Sequence, residues 1–156
     1  MENLKAGLIE SLRMMTDLYV RDVNALGHDG MNANLGGSSR PAYDYSYEVA
    51  IVNRRIAKRL CGEDPGQWPF EEGFVIAPED RRNIESASDE LKGACGEVCR
   101  AIESMPEERW GQVYDLGGFS MTGLQLAIHA IDHTAYHLGQ LNQMQLARGD
   151  AEIHWE

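Results

Sequence analysis

Cations, long apolar runs and paired cysteines are all scarce in this 156-residue chain, and each scarcity removes a class of function. Fourteen Lys and Arg stand against 25 Asp and Glu, for a formal net charge of −11. Nucleic acids and anionic membrane surfaces are bound through clustered cations that neutralise phosphates, so neither is expected as a partner. The densest basic run, NRRIAKRL at 53–60, interleaves its charges with Ile56, Ala57 and Leu60 and reads as the solvated face of an amphipathic helix. No stretch approaches the roughly 18 consecutive apolar residues of a membrane-spanning helix. The opening residues MENLKAGLIESLRMM lack the charged, then apolar, then small-residue order of a secretory signal. Three cysteines, an odd number, suit a reducing compartment better than a disulfide framework, so a cytoplasmic protein is expected. Cys95 and Cys99, four apart, have no second Cys or His pair nearby and read as small buried residues of a helix.

With 43% hydrophobic and 25% charged residues, the composition is that of one ordinary globular domain spanning 1–156. Four segments carry helical periodicity. In the first, Leu4, Leu8, Leu12, Met15 and Tyr19 form one apolar stripe that should end where Gly27 and Gly30 break the helix. The second opens near Pro41 with Ser38 or Ser39 at the cap, runs along Tyr45, Val49, Val52, Ile56 and Leu60, and stops at Gly62. Pro78, Glu79 and Asp80 are expected to open the third, which carries Ile84, Leu91, Val98 and Ile102 and ends before Pro106. The fourth spans roughly Thr122 to Ala147, with Gly149 just beyond. No repeat is visible, and no alternating run is long enough to demand a sheet. The expected fold is all-α, a four-helix bundle with a long first crossover.

The fourth helix holds HAIDHTAYHLGQLNQ at 129–143, with three of the five histidines spaced four apart. Residues at i and i+4 share a helix face, so His133 and His137 can aim at one point, as two ligands of a metal ion must. Packing is the equal alternative for a His-x-x-x-His pair standing alone. The stripe turns by about 40° per four residues, so His129 is expected to support the pair rather than ligate. Leu126, Leu141 and Met144 share the sector of the pair, while Leu124, Ile128, Ala135 and Leu138 fill a second apolar sector. Two apolar faces imply two packing partners, the bundle interior and a second subunit, so a homodimer is expected. A third ligand must come from another helix. Glu48, at the edge of the second stripe, has no cation at helical spacing and needs a partner from elsewhere, either a metal on the fourth helix or an arginine in space.

The stretch HAIDHTAYHLGQL resembles the last-helix signature of the DinB-like superfamily, in which a His-x-x-x-His pair runs into a short GQL-type sequence. The Trp-containing connector before it, the helix order and the length also fit. The resemblance implies an up-down-down-up bundle, often dimeric, with a divalent ion held by one histidine of the second helix and two of the fourth. Members of known activity include bacillithiol and other thiol transferases and the mycothiol-dependent maleylpyruvate isomerase. Carried over, the pair is His133 and His137. The segment YEVAIVNRRIAKRL is similar to one in which a His stands five residues before Asn53, and that position is Glu48 here.

Glutamate is a good ligand, and two histidines with one carboxylate suit Zn²⁺ or non-haem Fe²⁺. The expected cofactor is therefore a divalent ion (Zn, Ni, Fe or Mn) at Glu48, His133 and His137, a weaker Lewis acid than with three neutral imidazoles. His129, Asp44 and Asn53 would orient the ligands, and Tyr47 and Tyr136 would contact substrate. The implied activity is transfer of a small thiol, or of water, to an electrophilic small molecule held between the second and fourth helices. The rival is a non-catalytic dimeric bundle that binds small molecules or other proteins.

Overall fold

The protein, described here from a computed structural model, is defined for residues 1–70 and 74–155. Helix α1 spans Glu2–Asn32, α2 Ala42–Cys61, α3 Ile84–Ser104 and α4 Gly123–Ala147. A hairpin of β1, Val113–Asp115, and β2, Ser120–Thr122, precedes α4. Among the described residues no helix is long and apolar enough to cross a membrane.

Two apolar clusters order the bundle. The first takes Leu8 and Leu12 of α1, Ile56 and Leu60 of α2, Val98 and Ile102 of α3 and Leu126 of α4. The second takes Tyr19 and Val23, Tyr43 and Val49, Leu91, and Leu141 and Met144 from the same four helices. Each helix contributes one end to each cluster. In chain order the ends run up, down, down and up, so α2 and α3 are parallel and the chain must return along the bundle through the crossover at 62–83. The first connection, 33–41, merely turns the chain at one end.

Local chemistry explains where the element limits differ from expectation. Gly27, at φ 61°, kinks α1 without ending it. One further turn follows, because Met31 is fully buried in the second cluster and His28 Nδ1 lies 3.0 Å from the Tyr43 hydroxyl. The expected serine cap of α2 is absent: Pro41 takes the cap position, while the Ser39 hydroxyl donates within the preceding loop to Asn34 Oδ1 and the Gly36 carbonyl. Glu79–Arg81 forms only a 3₁₀ turn after Pro78, and α3 starts later, where Asn83 Oδ1 accepts from the Ser86 amide at 2.8 Å. The hairpin has no signature in the sequence, because three residues per strand show no alternation; Gly117 and Gly118, both at positive φ, make its turn.

The start of α4 is the tightest joint. Thr122 and Gln125 form a reciprocal capping box. A Cβ on Gly123 would lie 2.2 Å from the Arg109 carbonyl oxygen, in the 3₁₀ turn Glu107–Trp110, whereas one on Gly139 would meet nothing within 4 Å. Gly123→Ala is expected to cost about 1–3 kcal/mol by overpacking against backbone. Gly139→Ala is expected to gain about 0.5–1 kcal/mol from helix propensity. Urea denaturation of the two variants, opposite in sign, checks the assignment.

Candidate metal centre

Helices α2 and α4 run antiparallel in contact, so the first half of α2 faces the second half of α4. Asn53 Nδ2 donates to Thr134 Oγ1 at 3.2 Å near the middle of this pair. Glu48 of α2, on the stretch that also gives Tyr45 and Val49 to the second cluster, then faces His133 and His137. One ligand atom from each lies within 4.8 Å of the others. The two Nε2 atoms are 3.3 Å apart, and Glu48 Oε1 is 3.9 Å from His133 Nε2 and 3.8 Å from His137 Nε2.

These residues fit a divalent ion. Two nitrogens each bonded at ~2.0–2.1 Å and 3.3 Å apart subtend a near-tetrahedral angle. The carboxylate oxygen stands about 0.5 Å wide of that geometry, within reach of a small side-chain rotation. His137 Nδ1 lies 2.6 Å from Gln140 Oε1, which can only accept, so Nδ1 carries the proton and Nε2 presents its lone pair toward Glu48. His133 Nδ1 is buried without a partner. Its Nε2, beside His137 Nε2 and Glu48, is the nitrogen turned to the shared point, where it donates in the metal-free protein and would offer a lone pair to an ion.

The electrostatics prepare the same donor set. Burial raises the Glu48 pKa, but His133 and Arg40 beside it outweigh burial and hold it at about 2. Burial, with His133 as neighbour, pushes His137 down to about 4. At neutral pH the pair is therefore an ionised carboxylate facing a neutral imidazole.

Arg40 is the residue that helical spacing could not reveal. It lies just before α2, its Nη1 donating to Glu48 Oε2 at 2.6 Å and to the Val75 carbonyl at 3.2 Å. Its guanidinium also stacks over Tyr45 and Phe74, 4.7 and 4.4 Å from their ring centroids. Of the two partners expected for Glu48, the arginine is present on Oε2, and the histidines that would share a metal with it lie on the side of Oε1. Gln140 was findable, since it follows His137 by three in the quoted motif. Tyr45, read as core, packs its ring 5.4 Å from that of His137.

The remaining expected residues divide. His129 lies behind the pair, its ring centroid 5.6 Å from that of His133. Asp44 does not touch the histidines: its Oδ1 accepts from Arg82 at 2.6 Å and from the Ala77 amide at 2.8 Å, which ties the crossover to α2. Asn53 bonds Thr134 instead of a ligand. Tyr136 is exposed, its ring 5.0 Å from that of His137, and Tyr47 packs edge-on against Phe70. Cys95 and Cys99 are buried in the first cluster with their sulfurs 3.9 Å apart, and belong to no group of three candidate ligands among the described residues.

No family model and no curated protein matches the sequence. Solved structures do. A DinB-like protein of Bacillus subtilis superposes with a TM-score of 0.71 at 14% identity, covering 94% of each chain. A conserved protein of Enterococcus faecalis gives 0.70 at 17% identity, over 91% of this chain and 95% of that one. A DinB-like protein of Bacillus cereus gives 0.68 at 13%, over 92% of each. With a helix order and chain coverage shared over nine-tenths of its length, this chain has the fold of the DinB-like proteins.

Proposed function

We propose that the protein is a divalent-metal-dependent enzyme in which Glu48, His133 and His137 hold the ion and a small thiol or water is activated for transfer to an electrophilic small molecule. The observation that carries this reading is the convergence of two imidazole nitrogens and a carboxylate oxygen on one point from two helices. When bound, a divalent ion there supplies Lewis acidity that lowers the pKa of a thiol or water. The protein's own groups set the conditions. Gln140 holds the His137 ring, and Arg40 holds Oε2 of Glu48 and so turns Oε1 to the histidines. Arg40 also offsets the carboxylate's charge, which raises the acidity available to the nucleophile. The exposed Tyr136 hydroxyl, beside Gln140, is placed to donate to an incoming substrate.

A second reading has its own observation. The Arg40–Glu48 pair already neutralises the carboxylate, so the cluster can persist as a closed polar layer of a non-catalytic binding bundle. Metal analysis of untagged protein separates the two. The enzyme reading expects about one equivalent per chain, lost in His133→Ala, retained in Glu48→His and weakened in Glu48→Ala. No uptake of Zn²⁺, Ni²⁺, Mn²⁺ or Fe²⁺ by any variant would leave the second reading.

The homodimer is proposed on the outer face of α4. Leu138 turns inward, but Ile128 remains 39% exposed. Ile128→Glu should shift sedimentation toward the monomer, and an unchanged dimer would remove this face from the interface.

The depressed pKa values also predict an acid response of the metal-free protein. His137 titrates near 4 in the fold against 6.5 ordinarily, so the unfolded chain takes up its proton first as pH falls. The stability associated with neutral His137 is present above about pH 6.5 and lost toward pH 4. The Glu48 contribution is present above about 4.5 and lost toward 2, so it lies outside the upper window. Between pH 7 and 5, urea denaturation should show a loss of about 2 kcal/mol from His137, to which His129, also depressed by burial, adds in the same direction; His137→Gln should remove the larger part.

A further inference from the structure

The basic run of α2 is a partly solvated face, with Lys58 exposed and its three arginines half-buried. Arg54 pairs with Glu90 and Glu97 of α3. Arg55 donates to the carbonyls of Pro65, Gly66 and Gln67 and so clasps the crossover to the helix. Arg59 has no ion pair or side-chain hydrogen bond among the described residues, and it lines a cavity of about 300 Å³ between α2 and α4. The volume is at the lower end of small-molecule sites, which span roughly 300–1,000 Å³.

The cavity is amphipathic by construction. Ile56 and Leu126, both buried, form its apolar floor. Trp68 from the crossover and Phe119 from the hairpin stand at its rim, 42% and 57% exposed, where an apolar guest would cover them. Two arginines line it: Arg55, engaged by the crossover carbonyls and 5.4 Å from the Trp68 ring centroid, and Arg59, without a protein partner among the described residues, at one end in the last turn of α2. At the other end Val52 and His129 close it, and His129 sits one helical turn from His133. From Val52 to Arg59 is seven residues, or about 10 Å along the helix. Partial burial and the neighbouring Arg55 disfavour the charge on Arg59 by more than nearby Asp64 favours it, a cost that an anion would relieve. A cation held in this way in a chain of net charge −11 makes a local anion site on a surface that otherwise repels anions.

We propose that this cavity binds a small aryl-alkyl carboxylate, its carboxylate on Arg59, its apolar body between Ile56 and Leu126 under Trp68 and Phe119, and its far end at His129. That this guest is the electrophile of the reaction rests on the metal-centre reading; its binding does not.

Calorimetric titration of the full chain, chelator-treated and Zn²⁺-loaded, with phenylbutyrate and with its neutral amide tests the proposal. The expected result is saturable one-to-one binding of the acid in both forms, about tenfold tighter than the amide. Arg59→Gln should erase that preference. Phe119→Ala, at an exposed hairpin position that spares folding, should weaken acid and amide alike and reduce the accompanying change in tryptophan fluorescence. Equal affinity for acid and amide, retention of the preference in Arg59→Gln, or no saturable binding of either would overturn the site. Binding of the acid by a protein that takes up no metal would uphold the cavity and remove the catalytic reading. Metal uptake without acid binding would do the reverse.

Discussion

A carboxylate placed midway along a helical bundle must find a positive partner or give up its charge, because the interior solvates an anion poorly. Glu48 meets that constraint on both oxygens, and the surrounding arrangement follows. Oε2 fixes Arg40, and Arg40 in turn lies flat against Tyr45 and Phe74, which joins the start of α2 to the far end of the crossover. Oε1 faces two imidazoles, of which His137 is held from α4 by Gln140. Breaking such a pair from one side is costly since it strands the other charge. The same geometry therefore gives local order and leaves a donor set that a cation can enter.

The bundle can tolerate this polar centre because its apolar material is divided. Each helix donates one apolar stretch to each of two clusters, and the residues between them include Thr134, Asn53 and the histidine pair. A single continuous core would leave no place for an ionised side chain. The division also sets the topology, since α2 and α3 must present their ends to the same clusters in the same direction, and the crossover that results carries Trp68 and Phe74 back past α2.

What the sequence reveals and what it conceals follow from range. Helical stripes, the i,i+4 histidines and the glycine stop at Gly62 are local signals, and the helices and the His133, His137 pair could be assembled from them; the position of Glu48 as third ligand comes from the DinB-like resemblance. Arg40 was hidden because no periodicity links the residue before Pro41 with one two turns into the helix. Asp44 was misread for a related reason: its acidic position on α2 suggested a role toward the histidines, yet its partners, Arg82 and the Ala77 amide, come from more than thirty residues away. The kink at Gly27 shows tertiary burial of Met31 prevailing over a local break.

The arginines of α2 extend this argument from structure to recognition. Read as a string, NRRIAKRL is an amphipathic surface. In the fold, its three arginines meet different requirements while Lys58 stays exposed: Arg54 satisfies acids of α3, Arg55 satisfies carbonyls of the crossover, and Arg59 is left facing a largely apolar cavity. Partners in the protein explain the first two. A cation in the last turn of a helix gains from the helix dipole, typically a few tenths to 1 kcal/mol, and that accounts for an arginine at this position. It does not account for the apolar walls around it or for two aromatic rims left open to solvent. Those features acquire a common cause when the cavity has a guest with an anionic end and an apolar body, and His129 places the far end of that guest one turn from the metal-ligating candidates on α4.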